Sequence, residues 1–527
     1  MTESSQPAPR RSPFHLPPSS LLLALLVGLY VAARLWRLTA ACLWFDELFG
    51  VHAARHSWSG LWRFVAADLI HPPLFYALLK VWTAAGGESV YWLRLFPVVA
   101  AVAALVPLLL LARELRLGAA ETNVALLFTA ANGYLIKYAQ EVRMYGLLLL
   151  LTLTSLWLFA RLLNKEGRTR GLLFILFFVN LLLVYTHYYG WLVVACEVAF
   201  LALRERRKLG AFLLTTAGLS VAYVPWVVAC VGAADAGRGL AQNIGWIGRP
   251  GLNDIVELFA LFNQPFYFRQ SSADPLFVRF GALLGLLVVG LPVVALLYRK
   301  VKRKDVDDDG ADRTVAFLLL FTLLPVALAC AGSYVLPQSV WGTRHLIVAA
   351  GPYALLAGLA LGRLRPVWWK ASALIILCCW MALAGALTLA RRQVAHVWCA
   401  WEGLAVSASR DGAEASDVYA FEDLVAYHLW FALEREARFR VVSIEGAPGV
   451  AEDPAYFLPR GFEGVSVATT DALRGERFWA AFRDAGWDES RQPLKLIRER
   501  GYRAERVYEA SAQGQRAFLV LFVRAGE

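Results

Sequence analysis

Apolar runs long enough to cross a bilayer recur along this chain from Leu21 to Leu389, separated by short polar links. A span needs about 20 mostly apolar residues. The pattern predicts spans over 20–38, 91–112, 119–136, 144–163, 171–187, 189–203, 210–232, 276–298, 314–335, 345–362 and 371–390. Residues 39–90 break this rhythm. Two shorter apolar stretches, Trp58–Leu69 and Leu74–Ala85, are interrupted by Asp68, His71-Pro72-Pro73 and Lys80. Stretches of about 10–14 residues more often lie along a membrane than cross it, and Trp58, Trp62 and Trp82 suit the headgroup belt. Residues 39–90 are therefore expected to be a long loop carrying two interfacial helices.

After about Arg391 the pattern changes again. Val418–Phe421 and Phe439–Ile444 have strand character on either side of an amphipathic helix over Leu424–Leu433. Arg506–Ala510 and Arg516–Val523 flank Ser511-Ala512-Gln513-Gly514-Gln515 like the arms of a hairpin. The expected architecture is an all-α polytopic membrane protein of about 11 transmembrane helices with a C-terminal soluble α/β domain. Its divisions are a disordered tail over 1–19, a membrane domain over 20–392 and the α/β domain over 393–527.

Composition agrees. Of 527 residues, 58% are hydrophobic and 18% charged, whereas soluble proteins carry about 25% charged residues. The net charge of +11 does not indicate nucleic acid, because the basic residues gather in links between spans. Arg113/Arg116, Arg161–Arg170, Arg204–Lys208, Arg299–Arg313 and Arg363–Lys370 would all be cytoplasmic by the positive-inside rule. The N-terminus is then inside, the C-terminus outside, and the links near Asp46, Gln140, His187, Trp246 and Arg344 outside. The seven cysteines lack metal-ligand spacing, read as small core residues and suggest no disulfide framework. Neither a Gly-x-Gly-x-x-Gly nor a P-loop appears in a strand–helix context, so no nucleotide cofactor is expected.

The chemistry-bearing residues all fall on the external side. Trp44-Phe45-Asp46-Glu47 places two carboxylates at the membrane surface, where an ionisable group is a functional hypothesis by default. A carboxylate there is equipped to act as general base on an acceptor hydroxyl. His71 precedes two prolines that suit the first turn of a helix. In Gln140-Glu141-Val142-Arg143-Met144-Tyr145, a helical reading puts Glu141 and Tyr145 on one face. Arg143 is suited to bidentate phosphate binding. Thr186-His187-Tyr188-Tyr189 and Trp341-Gly342-Thr343-Arg344-His345 add a second arginine and two histidines.

In order and spacing these segments resemble the GT-C glycosyltransferases, in the branch of protein O-mannosyltransferases, lipid A aminoarabinose transferases and lipopolysaccharide galacturonosyltransferases. The resemblance covers roughly residues 20–365. It implies transfer of a sugar from a polyprenyl-phosphate donor to an acceptor glycan, lipid or protein outside the cytoplasm, with membrane lipids around the enzyme. Asp46 would be the catalytic base with Glu47 beside it, and Arg143 and Arg344 would grip the donor phosphate. His71, Gln140, Glu141, Tyr145, His187 and His345 are further site candidates. Metal use varies across the superfamily and is left open. The composition suggests a bacterial inner membrane with a periplasmic site. Two other functions are compatible with the spans. A lipid transporter or flippase would place its polar site near the midplane in repeated halves, and neither is visible here. A receptor or scaffold would work through its external domain.

Overall fold

The computed structural model describes residues 18–167, 169–235, 244–245, 247–266, 276–302, 309–390, 397–411, 416–434, 438–445, 464–512 and 515–526. The N-terminal tail up to residue 17, Trp246, residues 303–308 of the basic link, and the tip of the C-terminal hairpin at 513–514 lie outside them.

The membrane part begins with α1 (Pro18–Leu35). Three short helices follow it: α2 (Phe45–Arg55), α3 (Trp58–Asp68) and α4 (Leu74–Gly86). The last two match the expected interfacial pair. The first was not foreseen, and it takes Asp46 and Glu47 into a helical first turn. Next come α5 (Val90–Ala103), α6 (Leu105–Glu114), α7 (Ala119–Ala131), α8 (Gly133–Ala139), α9 (Tyr145–Asn164), α10 (Arg170–Thr186), α11 (Gly190–Arg204), α12 (Arg206–Asp235) and α13 (Leu252–Phe262). The bundle ends with α14 (Leu276–Lys302), α15 (Asp309–Val335), a 3₁₀ turn over Thr343–Ala349, α16 (Ala350–Gly362) and α17 (Val367–Ala390). Among the described residues, seven segments are long and apolar enough to cross a membrane. Two of the other expected spans coincide with shorter apolar helices, Leu21–Leu35 and Arg170–Thr186. The expected span over 119–136 breaks at Asn132, whose side chain caps α8 by accepting from the Leu135 N–H at 2.8 Å.

The links sort into two groups. Arg363 pairs with Glu121 at 3.0 Å and Arg313 with Glu205 at 3.2 Å. Lys208 Nζ donates to the Leu162 and Leu163 carbonyls, and Asn164 donates to the Glu114 carbonyl. The basic links thus meet one another at one end of the bundle. The segments around Asp46, Arg143, His187 and Arg344 meet at a second place.

Close helix contact brings the second group together. A Cβ on Gly146, one residue after Tyr145, would lie 2.4 Å from the Pro97 carbonyl oxygen. Only glycine lets the start of α9 approach α5 so closely. Gly146→Ala is therefore expected to cost about 1–3 kcal/mol in stability, visible as a lower thermal midpoint of the detergent-solubilised protein.

Further along the bundle, Ser155, Asn180 and Glu197 close a fully buried ring. Ser155 Oγ lies 2.5 Å from Asn180 Oδ1 and 2.7 Å from Glu197 Oε1, and Asn180 Nδ2 lies 2.8 Å from Glu197 Oε2.

The C-terminal part starts with α18 (Ala400–Asp411) and carries α19 (Asp423–Leu433) and α20 (Leu494–Glu499) on a six-stranded sheet. The strands are β1 (Asp417–Ala420), β2 (Arg440–Glu445), β3 (Ser466–Thr469), β4 (Arg477–Asp484), β5 (Tyr502–Ala512) and β6 (Gln515–Arg524), in the order β3-β2-β1-β4-β6-β5. The expected β1–α19–β2 unit is a parallel crossover, and β5–β6 is the expected hairpin. β3 and β4 were not foreseen from sequence. This domain is tied to the membrane part. Tyr427 packs edge-on to Phe45 at 4.7 Å, Arg55 pairs with Glu434, and its guanidinium lies 4.7 Å from the Trp430 ring. Contrary to the sequence reading, two cysteines are bonded: Cys42 and Cys399 form a disulfide with Cα atoms 5.2 Å apart. A separation of 357 residues hid this pair from any spacing argument.

Candidate active site

The site is built on an ion pair. Glu47, with no solvent exposure, accepts from Arg94 Nε at 3.1 Å and Nη2 at 2.9 Å. Arg94 also donates to the carbonyls of Leu38, Ala41 and Cys42. Glu47 in turn accepts from the backbone N–H of Trp44 at 3.0 Å and of Val142 at 2.9 Å. These bonds fasten the end of the first span, the start of α2 and the 140–144 segment to α5. Glu47, expected in a catalytic role, is thereby an anchor. All its lone pairs point into the protein.

Asp46 takes the opposite side. Adjacent residues on a helix are about 100° apart, so anchoring Glu47 inward turns Asp46 toward Arg143 and Arg344. Its Oδ2 lies 2.9 Å from Arg344 Nη1 and 3.7 Å from Arg143 Nη2. Arg143 also donates to the Asp46 carbonyl at 3.1 Å. Arg344 lies 5.8 Å from the Trp44 ring. The carboxylate and two guanidinium groups expected from sequence therefore meet, although Arg344 is 298 residues from Asp46. Arg143 is nearly buried, while Arg344 and Asp46 keep some access to solvent.

Three histidines border these arginines. The rings of His187 and His345 have centroids 4.6 Å apart, with His71 at 5.3 Å from His187 and 6.1 Å from His345. Their nitrogens lie within 4.8 Å of one another. Arg143 Nη2 sits 3.4 Å from both His71 ring nitrogens. Burial, then the Arg143 charge and the neighbouring imidazoles, hold His71 well below its ordinary pKa. Burial, then Arg143 and Arg344, push His187 down to about 3. Both rings are therefore neutral near pH 7.

Asp68 is the residue that sequence reading missed. It ends α3, with Oδ2 4.0 Å from His71 Nδ1, and burial followed by the Asp46 charge raises its pKa to about 7 despite the opposing Arg143. Leu69, between Asp68 and the His71 segment, has φ of +64°. A left-handed leucine costs about 1 kcal/mol, and such strain concentrates at functional sites. Tyr188 secures the turn by donating to the Leu69 carbonyl at 3.2 Å.

The remaining candidates divide. The 140–144 segment is not helical, so the expected shared face of Glu141 and Tyr145 does not exist. Gln140 donates to the carbonyls of Arg34 and Trp36, and Glu141 pairs with Lys137 at 2.9 Å. Both serve structure. Tyr145 opens α9 inside the cluster, its ring stacked 6.2 Å from that of His345.

No protein-family model and no curated protein sequence matches the chain. Among solved structures, ArnT from Cupriavidus metallidurans bound to undecaprenyl phosphate superposes with a TM-score of 0.58 at 13% identity, covering 95% of this chain and 97% of that one. Apo ArnT from the same organism gives 0.53 at 12% identity, with the same coverage. The archaeal oligosaccharyltransferase AglB from Archaeoglobus fulgidus, in complex with an inhibitory peptide and a dolichol-phosphate, gives 0.49 at 14%. The chain spans 64% of the length of AglB. Over 95% of its own length and 97% of the other chain, the protein shares the fold of ArnT.

Proposed function

We propose that this protein is a membrane glycosyltransferase that moves a sugar from a polyprenyl-phosphate donor to an acceptor hydroxyl outside the cytoplasm by inverting displacement. The observation that carries the reading is Asp46 held between Arg143 and Arg344. The undecaprenyl phosphate bound to the structurally similar ArnT supports the same donor class.

The chemistry follows from these groups. The acceptor oxygen attacks the anomeric carbon as the bond from that carbon to the phosphate oxygen breaks. The acceptor proton passes to Asp46, and the electron pair leaves with the phosphate. Two guanidinium groups stabilise the charge that accumulates there, an electrostatic contribution that often dominates catalysis. A phosphate leaving group needs no general acid, so one carboxylate suffices. A phosphate drawn between the arginines also takes up the cations that hold Asp46 in the empty site, which frees the carboxylate for the acceptor. The Cys42–Cys399 disulfide on the same side supports an oxidising compartment, since such bonds persist outside the cytosol. We assign that compartment to the periplasm, with the basic links cytoplasmic. The test is transfer in detergent from a radiolabelled polyprenyl-phosphate sugar to extracytoplasmic glycolipid or protein acceptors. Product formation supports the reading, and donor binding without any transfer overturns it.

Asp68 gives this site a pH dependence. Below about pH 7 its carboxyl is protonated, and above it the cavity gains one negative charge. Donor affinity is then expected to fall as pH rises through 7. A unit charge about 10 Å away at an effective dielectric of about 20 is worth roughly 1.5 kcal/mol, about tenfold in affinity. The donor is a phosphodiester and does not itself titrate in this window. Equilibrium binding between pH 6 and 8 checks this, and Asp68→Asn is expected to flatten the profile.

A further inference from the structure

The cluster beside the arginines contains several buried polar atoms without a hydrogen-bond partner among the described residues. They are His187 Nε2, His345 Nε2, Arg143 Nε and the hydroxyls of Tyr76 and Tyr145. A buried polar group that pairs with nothing costs about 1–3 kcal/mol, and native proteins carry few of them. Five in one place call for a missing partner, and the hydrogens on those atoms identify what kind.

The tautomer of His187 decides it. The Tyr189 backbone N–H donates to His187 Nδ1 at 3.0 Å. A neutral imidazole whose Nδ1 accepts a hydrogen bond carries its own hydrogen on Nε2. The unpartnered Nε2 of His187 is thus a donor. Arg143 Nε and the two tyrosine hydroxyls are donors as well. A metal ion, which three clustered histidines would otherwise suggest, needs a lone pair from each ring. His187 has none to give while its bond to Tyr189 stands, and Arg143 and Arg344 would repel a cation at the same spot. Unpartnered donors beside two guanidinium groups call for an oxygen anion.

We infer that His187 Nε2 and the Tyr145 hydroxyl, with His345 beside them, donate hydrogen bonds to the phosphate oxygens of the lipid-linked donor, completing a cradle in which Arg143 and Arg344 supply the charge. This rests on the glycosyltransferase reading and adds to it the side chains that orient the phosphate. Arginines alone attract any nearby anion. Fixed donors from two separate segments, 145 and 187, set the orientation of the phosphate and so the direction of the C–O bond that breaks. His187 is fitted for this by position, since Tyr189 holds its Nδ1 edge and its buried Nε2 has no partner among the described residues.

The test is binding to the full-length protein in detergent, with polyprenyl monophosphate, unphosphorylated polyprenol, inorganic phosphate and Zn²⁺ as separate probes. His187→Ala is expected to weaken polyprenyl phosphate binding about tenfold or more, since a hydrogen bond to a charged group contributes about 1.5–3 kcal/mol, and to leave polyprenol binding unchanged. His187→Gln, which restores an N–H near the Nε2 position, is expected to recover most of the loss. Tyr145→Phe removes a hydroxyl that pairs with nothing in the empty site, so it should keep the thermal midpoint and still lose affinity. Unaltered lipid phosphate affinity in both His187→Ala and Tyr145→Phe overturns the inference. So does an equal loss of polyprenol binding, or stoichiometric Zn²⁺ that disappears with His187. Inorganic phosphate bound as tightly as the lipid ester overturns the assignment to a lipid. If the wild-type protein binds no lipid phosphate, the glycosyltransferase reading fails too. If it binds and transfers while the variants bind normally, only this inference fails.

Discussion

Asp46→Asn is expected to lower transfer by about two to four orders of magnitude, the range that positioned general bases contribute, while donor binding survives. Asparagine keeps the shape and an oxygen facing Arg344 but accepts no proton. Removing the charge leaves Arg143 and Arg344 without the carboxylate that now lies 3.7 Å and 2.9 Å from them, so affinity for the donor phosphate should hold or rise. Single-turnover transfer measured beside equilibrium donor binding separates the two effects. Undiminished turnover would remove Asp46 as base. A parallel collapse of binding would make it a structural partner of the arginines instead.

The neighbouring carboxylate should behave in the opposite way. Glu47→Ala strips the buried Arg94 of the carboxylate it is ion-paired with. Breaking a buried pair from one side costs about 3–5 kcal/mol. The backbone N–H groups of Trp44 and Val142 lose their acceptor as well. The expected outcome is a strongly lowered thermal midpoint and poor recovery of folded protein. Asp46→Asn, one residue away, should unfold close to wild type. A Glu47→Ala protein as stable as wild type would refute the anchor.

The contrast between these neighbours shows where the sequence stops being informative. Runs of apolar residues and the sides assigned to basic links placed Asp46, Arg143, His187 and Arg344 at one surface, and there they meet. Which of two adjacent acids faces the cavity depends on Arg94, 47 residues away and embedded in an apolar helix that reads simply as a span. In sequence, Asp68 is no more than a polar interruption of an apolar stretch. Its importance comes from burial next to Asp46 and Arg143, a tertiary property with no local signature. Glu141 and Gln140 were singled out on a helical reading of 140–144, but the Glu47 contact to the Val142 N–H holds that segment as a turn. In the C-terminal domain, β5 and β6 were legible because a polar five-residue stretch separates two apolar arms. β3, with an exposed and irregular pattern, was not.

The bond between Cys42 and Cys399 has a consequence for how the protein is made. Cys399 follows the last helix of the bundle, so the bond can form only after every preceding segment has been synthesised. Until then the loop bearing Asp46 is unstapled, and a ribosome stalled anywhere upstream leaves Cys42 single. Once closed, the link makes a covalent circle that holds α2 to α17 and leaves α1 outside it. A protease that cuts one exposed loop within it yields two fragments that still migrate together on a non-reducing gel.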